Sequence, residues 1–201
     1  MSAPIGRISR VCVFTGSRPG SRPAYAVAAR ALGAAIAKRG WGLVYGGASV
    51  GLMGAVADAA MAGGGTAIGV IPRGLVDKEI AHAGLSEQIV TTSMHERKQK
   101  MADLADAFVA MPGGFGTFDE LFEIITWAQI AIHSKPVGLL DAEGYFAPLM
   151  ALVDHAIEEG FVPADQRALL VVNRDPDALL DALASYTPPV LGRKWIEPTE
   201  R

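Results

Sequence analysis

Short runs of apolar residues alternate along the chain with longer segments in which apolar positions recur at helical spacing. The apolar runs predict strands near 10–15, 41–46, 66–71, 87–92, 106–111, 136–140 and 168–172. The segments between them predict helices near 22–39, 51–63, 94–104, 117–132, 145–159 and 175–185. Because the strand runs are almost wholly apolar, both faces of the sheet must be covered. The pattern therefore predicts a three-layer α/β fold with a parallel sheet of about seven strands.

The length of 201 residues suits a single domain, residues 1–201, and the pattern contains no internal repeat and no linker. Half of the residues are hydrophobic, which is enough for a sizeable core. The segment 187–201 is rich in proline, so we expect an extended C-terminal tail that wraps the surface or a partner.

Charge and cysteine content exclude several classes of protein. The net charge is −3 and no basic stripe is present, which argues against nucleic-acid binding. No apolar run approaches the ~18 residues of a membrane span, and the first residues lack the pattern of a secretory signal. Cys12, the single cysteine, is expected to be a buried thiol, and the four histidines lack metal-ligand spacing. We therefore expect a cytoplasmic protein without a metal site.

Glycines cluster directly after three of the predicted strands, in the segments 15–21 (TGSRPGS), 46–54 (GGASVGLMG) and 112–117 (PGGFGT). Ligands of open α/β sheets bind outside the carboxyl ends of the strands, so the three turns predict one shared pocket. A helix N-terminus at that edge suits an anion such as phosphate. The candidate contacts in these turns are Ser17, Gly47, Gly113, Gly114 and Gly116. Ser17 is equally typical of an ordinary turn.

Two well-known phosphate motifs fit the chain poorly. Gly46 and Gly51 have the glycine spacing of a P-loop, but Leu52 and Met53 occupy its lysine and Ser/Thr positions, which excludes an ATPase. Gly114 and Gly116 begin a dinucleotide fingerprint, with Asp141 as the downstream acid, but Asp119 replaces the third glycine and Glu120 follows. Carboxylates there disfavour a pyrophosphate. A phosphate monoester with the acid facing its sugar fits better.

Glu120 has two interpretations. Thr117 and Glu120 have the spacing of a capping box, in which both residues would only cap the helix, leaving Asp119 and Glu123 as a solvated first turn. On a helical wheel, however, Glu120 lies at the edge of the apolar stripe, beside Ile124, and so points towards the sheet.

Arg97 raises a similar question in the segment 93–101. Ser93 and Glu96 form a second capping box, whereas Arg97 shares the inward stripe of its helix with Met101. A cation in the first turn is disfavoured by the helix dipole, so an inward Arg97 needs an anionic partner. That partner is either a structural carboxylate or a ligand phosphate, with Glu120 nearby. On the helical wheel, Lys98 lies at a position where its side chain could simply be exposed to solvent.

Two further polar residues give weaker signals. Glu79 follows a strand end and either reaches the same edge of the sheet or is a surface charge. Thr126 lies in the middle of a helix, where packing or a bond to the carbonyl of residue i−4 explains it.

The stretch PGGFGTFDE (112–120) carries the PGGxGTxxE signature, and by it the chain resembles the LOG family, the cytokinin-activating phosphoribohydrolases that are often named lysine decarboxylases. The segments VYGGASVGLMGAVADAA, GVIP, MHERKQKM, ITWAQIAIHSKPVGLL and EEGFV are similar to family sequence and stand in family order. The resemblance covers roughly residues 10–165. The chain departs from the commonest pattern at Asp119, where glutamate is frequent, and in TGSRPG, where plant members have a CGSS-type turn.

The resemblance implies a Rossmann-like fold, a homodimer and no metal or organic cofactor. It implies that the substrate is a nucleoside 5′-monophosphate, hydrolysed to free base and ribose 5-phosphate. It also implies that Arg97 and Glu120 are the catalytic residues. Carried over from the family, the substrate contacts are Glu79, Arg97, Lys98, Gly114, Phe115, Gly116, Thr117, Phe118, Asp119, Glu120 and Thr126.

The resulting hypothesis is that the phosphate docks on the N–H groups of Gly114 to Thr117 while Glu120 meets the anomeric carbon of the ribose. The substrate is then an adenosine 5′-monophosphate, N6-modified or plain. Two alternatives stay open: a salvage nucleosidase for ordinary purine and pyrimidine monophosphates, and a non-catalytic carrier of a nucleotide or of the molybdenum cofactor. Retention of both Arg97 and Glu120 argues against the carrier.

Overall fold

The structure is a computed structural model that describes residues 7–76 and 81–189. The strands are β1 (Arg10–Phe14), β2 (Gly42–Tyr45), β3 (Ala67–Pro72), β4 (Glu87–Thr91), β5 (Ala107–Ala110), β6 (Val137–Leu140) and β7 (Leu170–Asn173). The α-helices are α1 (Pro23–Lys38), α2 (Gly51–Ala62), α3 (Arg73–Val76), α4 (Met94–Leu104), α5 (Phe115–Gln129), α6 (Ala147–Glu158) and α7 (Pro176–Ala184). Two 3₁₀ helices span Ala142–Gly144 and Ala164–Leu169.

The seven strands form one sheet in the order β4-β3-β2-β1-β5-β6-β7, and every pairing is parallel. Val13 of β1 pairs with Tyr45 on one side and with Val109 on the other. The chain winds outwards from β1 in both directions, so the switch point of the sheet lies between β1 and β5. Loops that leave these two strands diverge and open a crevice, which is where such sheets bind ligands.

Helices cover both faces of the sheet, as the apolar strands require. On one face α1, α2 and α7 pack over a core that includes Leu32, Val56 and Leu180. On the other face α4, α5 and α6 pack over a second core that includes Met101 and Leu121. The predicted α/β fold with a parallel sheet of seven strands is thus confirmed.

The predicted elements agree with the structure at all seven strands and six of the helices, and three short elements were not predicted. These are α3 and the two 3₁₀ helices, which are too short to show a period in the sequence. Helix α5 begins at Phe115, two residues ahead of its predicted start. Most of the predicted tail, from residue 190 on, lies outside the described residues. None of the helices that the structure describes is long and apolar enough to cross a membrane.

Candidate active site

A cavity of about 700 Å³ opens at the carboxyl edge of the sheet, above the switch point. The turn after β1 and the turn after β5 form its walls, together with the start of α2 and the first turns of α4 and α5. Its lining contains Val13, Thr15, Gly16, Ser17, Arg18, Gly20, Ser21, Tyr25, Gly46, Leu52, Met53, Leu75, Met94, Arg97, Pro112, Gly113, Gly114, Phe115, Gly116, Thr117, Glu120 and Tyr145. The three glycine-rich turns therefore share one cavity, as predicted.

The first and third turns fit together so closely that glycine is required at Gly113. Gly16 N–H donates to the carbonyl of Pro112 at 3.1 Å. A Cβ on Gly113 would lie 2.1 Å from Oγ1 of Thr117 and 2.9 Å from the nitrogen of Gly16. Real Cβ atoms do not approach other atoms so closely, so only glycine allows this contact between the turns.

Helices α2 and α5 both place their first turns against the cavity, and they differ in how their first N–H groups are used. At the start of α2, the carbonyl of Gly16 accepts from Leu52 N–H at 3.0 Å and from Met53 N–H at 3.4 Å. At the start of α5, the N-cap is Gly114, and no side chain caps the helix. Because the first turn of α5 also lines the cavity, this end can offer its first N–H groups to an anion.

The proposed capping box at Thr117 and Glu120 is wrong. Helix α5 already begins at Phe115, so Thr117 lies inside its first turn, where it is 3% exposed. The spacing of Thr117 and Glu120 predicted the wrong N-cap because the actual N-cap, Gly114, has no side chain that would mark it in the sequence. At α4 the corresponding prediction holds: Ser93 Oγ accepts from Glu96 N–H at 3.1 Å. The Glu96 carboxylate there accepts from Thr92 N–H at 2.7 Å rather than from the N-cap residue.

Arg97 and Glu120 face each other across the bottom of the cavity. Nη1 of Arg97 lies 3.0 Å from Oε1 of Glu120, and Nε of Arg97 donates to the carbonyl of Val70 at 3.0 Å. Arg97 is 8% exposed and Glu120 is 7% exposed. The inward arginine thus has a carboxylate partner, and that partner is Glu120. A buried carboxylate held in place by a guanidinium is well suited to a positively charged transition state.

The negative charge of Glu120 also affects the thiol of Cys12 in β1. Burial raises the pKa of the Cys12 thiol well above its usual value, and the negative charge of Glu120 raises it further. Cys12 is fully buried in β1, so the prediction of a buried thiol is confirmed.

Gly46, directly after β2, is a site residue that the sequence analysis named only for its P-loop spacing and not as a candidate contact. A Cβ at this position would lie 2.3 Å from Nη2 of Arg97 and 3.0 Å from Sδ of Met53. Gly46 therefore makes room for the guanidinium of Arg97. Gly47, the candidate that was named, does not line the cavity; it packs against Gly69 and adopts a φ of +81°.

Lys98 is not simply exposed, as its position on the helical wheel had suggested. Its Nζ lies 3.1 Å from Oδ2 of Asp119 and 3.0 Å from Oε1 of Glu123, and its side chain is 11% exposed. Burial lowers the pKa of Lys98, but the hydrogen bonds to Glu123 and Asp119 outweigh this and the net shift is upward. Asp119 and Glu123 are thus held by an ion pair rather than merely solvated. Neither Lys98 nor Asp119 lines the cavity.

The other candidates divide between the cavity and its surroundings. Ser17 lines the cavity, whereas Phe118 does not. Thr126 is exposed, outside the cavity, and its hydroxyl donates to the carbonyl of Phe122 at 2.7 Å, which is the local bond considered from the sequence. Glu79 lies outside the described residues. Asp141, considered as the acid of a dinucleotide site, instead accepts from Phe146 N–H at 2.7 Å and supports the turn after β6.

Sequence reasoning also missed Tyr145, which follows that turn and reaches the cavity. Its hydroxyl donates to the carbonyl of Gly113. Its position five residues after the predicted strand 136–140 was a signal that could have been used. Across 7–76 and 81–189, no group of three or more His, Cys, Asp or Glu side chains is placed to hold a metal ion.

The fold and the site together define a class of protein: a doubly wound α/β protein whose cavity at the switch point combines an uncapped helix N-terminus with a buried Arg–Glu pair.

Comparison with known proteins identifies the family within this class. The family model described as "Possible lysine decarboxylase" matches residues 53–183. The chain is similar over about nine-tenths of its length to two named proteins. One is the probable cytokinin riboside 5′-monophosphate phosphoribohydrolase LOGL1 from Oryza sativa subsp. japonica. The other is the cytokinin riboside 5′-monophosphate phosphoribohydrolase LOG2 from Arabidopsis thaliana.

The rice protein is 48% identical over 187 residues, which are 93% of this chain and 84% of that protein. The Arabidopsis protein is 44% identical over 182 residues, 90% of this chain and 85% of that protein. The chain therefore belongs to the LOG family, as its motifs indicated. Among solved structures, the molybdenum cofactor carrier protein of Chlamydomonas reinhardtii has a TM-score of 0.68 at 26% identity, covering 90% of this chain and 100% of that one.

Proposed function

We propose that the protein is a phosphoribohydrolase that cleaves the N-glycosidic bond of an N6-modified adenosine 5′-monophosphate. Water is consumed, and the products are the free base, a cytokinin, and ribose 5-phosphate. The names of its relatives at 44% and 48% identity support this substrate class. The observation that carries the proposal is the buried Arg97–Glu120 pair, 3.0 Å apart, beside the open N-terminus of α5.

In the proposed complex, the phosphate binds at the start of α5. The first N–H groups of this helix carry a partial positive charge and are not capped by a side chain, so they suit a phosphate dianion. Thr117 lines the same end of the cavity and offers its hydroxyl. Binding the phosphate, which is remote from the bond that breaks, fixes the position of the ribose.

Glu120 lies one turn further along α5, so a ribose held by its phosphate brings C1′ towards this carboxylate. Cleavage of an N-glycoside develops positive charge on the sugar ring, and an adjacent carboxylate stabilises that charge. The same carboxylate can accept a proton from the attacking water, whose oxygen forms the new bond to C1′. The bonding electrons of the broken C1′–N bond leave with the base, which takes up a proton. Arg97 keeps Glu120 oriented throughout.

Two other functions remain candidates for this site. A salvage nucleosidase would use the same residues on AMP or other ordinary monophosphates. A carrier would bind its ligand without cleavage, and the fold similarity to the Chlamydomonas carrier protein supports it. The Arg97–Glu120 pair favours an enzyme, because a carrier has no use for a carboxylate beside the sugar.

The experiment compares N6-isopentenyl-AMP, AMP and adenosine as substrates of the purified protein, and follows free base and ribose 5-phosphate. We expect N6-isopentenyl-AMP to be cleaved, with adenosine cleaved far more slowly. Glu120→Gln and Arg97→Ala should each lower kcat/KM by at least about 100-fold. Glu87→Gln is the matched control, since Glu87 is exposed at the opposite edge of the sheet.

Each outcome separates the candidates. Nucleotide binding without turnover favours the carrier, and a higher kcat/KM for AMP than for its N6-modified form favours salvage. Full activity of Glu120→Gln would contradict the proposed role of Glu120.

We further propose that the protein is cytoplasmic, as its composition indicates, and a homodimer, as the resemblance to the LOG family implies. An apolar surface on α5 and α6 supports the dimer. We call it the α5–α6 surface and define it by Phe115, Phe122, Ile132, Leu152 and Phe161, all exposed in the single chain.

A further inference from the structure

Tyr145 connects the turn after β6 with the glycine turn at the start of α5. Its hydroxyl donates a hydrogen bond to the carbonyl of Gly113, and its ring lines the cavity. The ring itself is held on two sides by edge-to-face contacts, with Tyr25 at 6.0 Å and with Phe146 at 5.1 Å between centroids. Such contacts fix the ring, so the position of the hydroxyl is fixed as well.

The turn that carries Tyr145 is also tied to the sheet. Asp141, immediately after β6, accepts from Phe146 N–H at 2.7 Å and donates its own N–H to the carbonyl of Asn173 at 2.8 Å. Phe146 is fully buried in the second core. The hydroxyl of Tyr145 is therefore presented to Gly113 from a rigid base rather than from a loose loop.

The carbonyl of Gly113 belongs to the peptide that precedes the N-cap of α5. This peptide is flanked by Gly113 and Gly114, and a peptide between two glycines can rotate with little steric hindrance. Because a trans peptide is planar, holding its carbonyl oxygen also fixes the direction of the Gly114 N–H. The hydrogen bond from Tyr145 therefore orders the segment whose N–H groups are proposed to meet the phosphate.

We propose that Tyr145 is a positioning residue that orders the phosphate-binding turn, which makes the enzyme selective for a 5′-phosphorylated substrate. This proposal rests on the proposed function, since it assigns a role within the same site. Removing the hydroxyl leaves the cavity and the Arg97–Glu120 pair in place. The kcat/KM for the nucleotide should therefore decrease, whereas the kcat/KM for the nucleoside should stay the same.

The test compares Tyr145→Phe with the unaltered protein and with Tyr45→Phe. Tyr45 is the matched control because its hydroxyl is buried in the first core and has no hydrogen-bond partner in the described part of the chain. For each protein, kcat/KM is measured with N6-isopentenyl-AMP and with its nucleoside. Binding of ribose 5-phosphate is measured by calorimetry, and the melting temperature is recorded.

We expect Tyr145→Phe to lower the nucleotide-to-nucleoside ratio of kcat/KM about 10-fold, the size of effect of one hydrogen bond that orders a charged ligand. The affinity for ribose 5-phosphate should fall in parallel, and Tyr45→Phe should change neither. An unchanged ratio and affinity in Tyr145→Phe would overturn the proposal. So would a loss of activity equal for nucleotide and nucleoside, which indicates a general structural role.

The two proposals fail in different ways. If the unaltered protein cleaves no nucleotide, the proposed function fails, and ribose 5-phosphate binding alone decides the role of Tyr145. If the unaltered protein cleaves nucleotide while Tyr145→Phe keeps its selectivity, only the role of Tyr145 is rejected.

Discussion

Arg97 is a charged side chain in an interior position, and three neighbours make that position tolerable. Glu120 supplies the opposite charge at 3.0 Å, the carbonyl of Val70 accepts from Nε, and Gly46 leaves space for the guanidinium. A buried ion pair repays its desolvation only with such close geometry. The chemistry of the site therefore depends on a residue that has no side chain at all.

Gly46→Ala tests this dependence. The added Cβ would lie 2.3 Å from Nη2 of Arg97, so the guanidinium must shift from its position beside Glu120. We expect kcat/KM to fall by about 100-fold or more, as for other losses of catalytic positioning. Gly84→Ala is the control, because a Cβ there would meet its nearest neighbour, His82, at an ordinary 3.5 Å. Steady-state kinetics and a melting curve are measured for each variant. A near-normal kcat/KM of Gly46→Ala would contradict the expectation.

The sequence predicted part of this site, for reasons that differ from residue to residue. Arg97 and Glu120 could be identified because each is a charged residue at the inward, apolar side of its helix. That conflict is visible in the sequence of the helix itself, without knowledge of the rest of the fold. Gly46 and Tyr145 were missed as site residues because their partners, Arg97 and Gly113, belong to other elements and meet them only through the sheet order. Thr117 was wrongly interpreted as an N-cap because its spacing to Glu120 indicates a capping box only if the helix begins directly after Thr117, whereas α5 begins at Phe115.

At the scale of elements, the strands and long helices were predictable because most strands are buried along nearly their whole length and stand out as apolar runs. The sequence did not predict how the helices are tied to one another. Lys98 on α4 forms ion pairs with Asp119 and Glu123, which stand on either side of Glu120 on α5. This bridge joins the two helices that carry Arg97 and Glu120.

Lys98→Met tests the bridge. We expect the free energy of unfolding to fall by about 1 kcal/mol, since Asp119 is largely exposed and solvent screens its share of the attraction. The effect should shrink at high salt. Lys100→Met, an exposed lysine on the same helix, is the control and should have little effect.

Urea denaturation at low and high salt measures both variants of this pair, and Lys98→Arg should restore much of the loss. Equal stability of the two methionine variants would show that the bridge contributes nothing. A large rise in KM with unchanged stability would instead favour the direct substrate contact that the resemblance to the LOG family implies for Lys98.

For the molecule as a whole, His133 makes stability depend on pH. Its Nε2 donates to the carbonyl of Ile124 at 3.0 Å, and its Nδ1 accepts from Lys135 N–H at 3.1 Å, so the neutral ring satisfies both bonds. Burial, together with the nearby ammonium of Lys135, lowers the pKa of His133 to about 4. In the unfolded chain the pKa is about 6.5. Between these values the unfolded state binds a proton that the folded state does not.

The free energy of unfolding should therefore rise as pH increases from about 4 to about 6.5, by at most about 1.4 kcal/mol per pH unit from this residue. His133→Gln should remove this part of the slope, while the exposed His155→Gln should leave it in place. Urea denaturation at several pH values measures the slope. Parallel curves for His133→Gln and the unaltered protein would contradict the assignment.

The distribution of exposed apolar side chains supports the proposed homodimer. Of the nine large hydrophobic residues that are exposed within the described part of the chain, the five of the α5–α6 surface belong to α5, α6 and the turns after them. Phe115 is 91% exposed and Phe161 is 82% exposed, values that are unusual for side chains of this size. Helix α6 has no buried residue in the single chain, although eight of its twelve residues are Ala, Val, Ile, Leu or Met. A partner on this surface would complete the burial of α6.

Leu152→Glu combined with Phe161→Glu tests this arrangement, because two carboxylates at the centre of an apolar contact would each lose water without gaining a partner. We expect the unaltered protein to sediment as a dimer and the double variant as a monomer. Val27→Glu is the control, since Val27 is 56% exposed but lies on α1, in the opposite layer. A dimer that persists in the double variant would place the interface elsewhere. Because Phe115 stands both on this surface and in the cavity lining, loss of the dimer should also raise the KM for nucleotide.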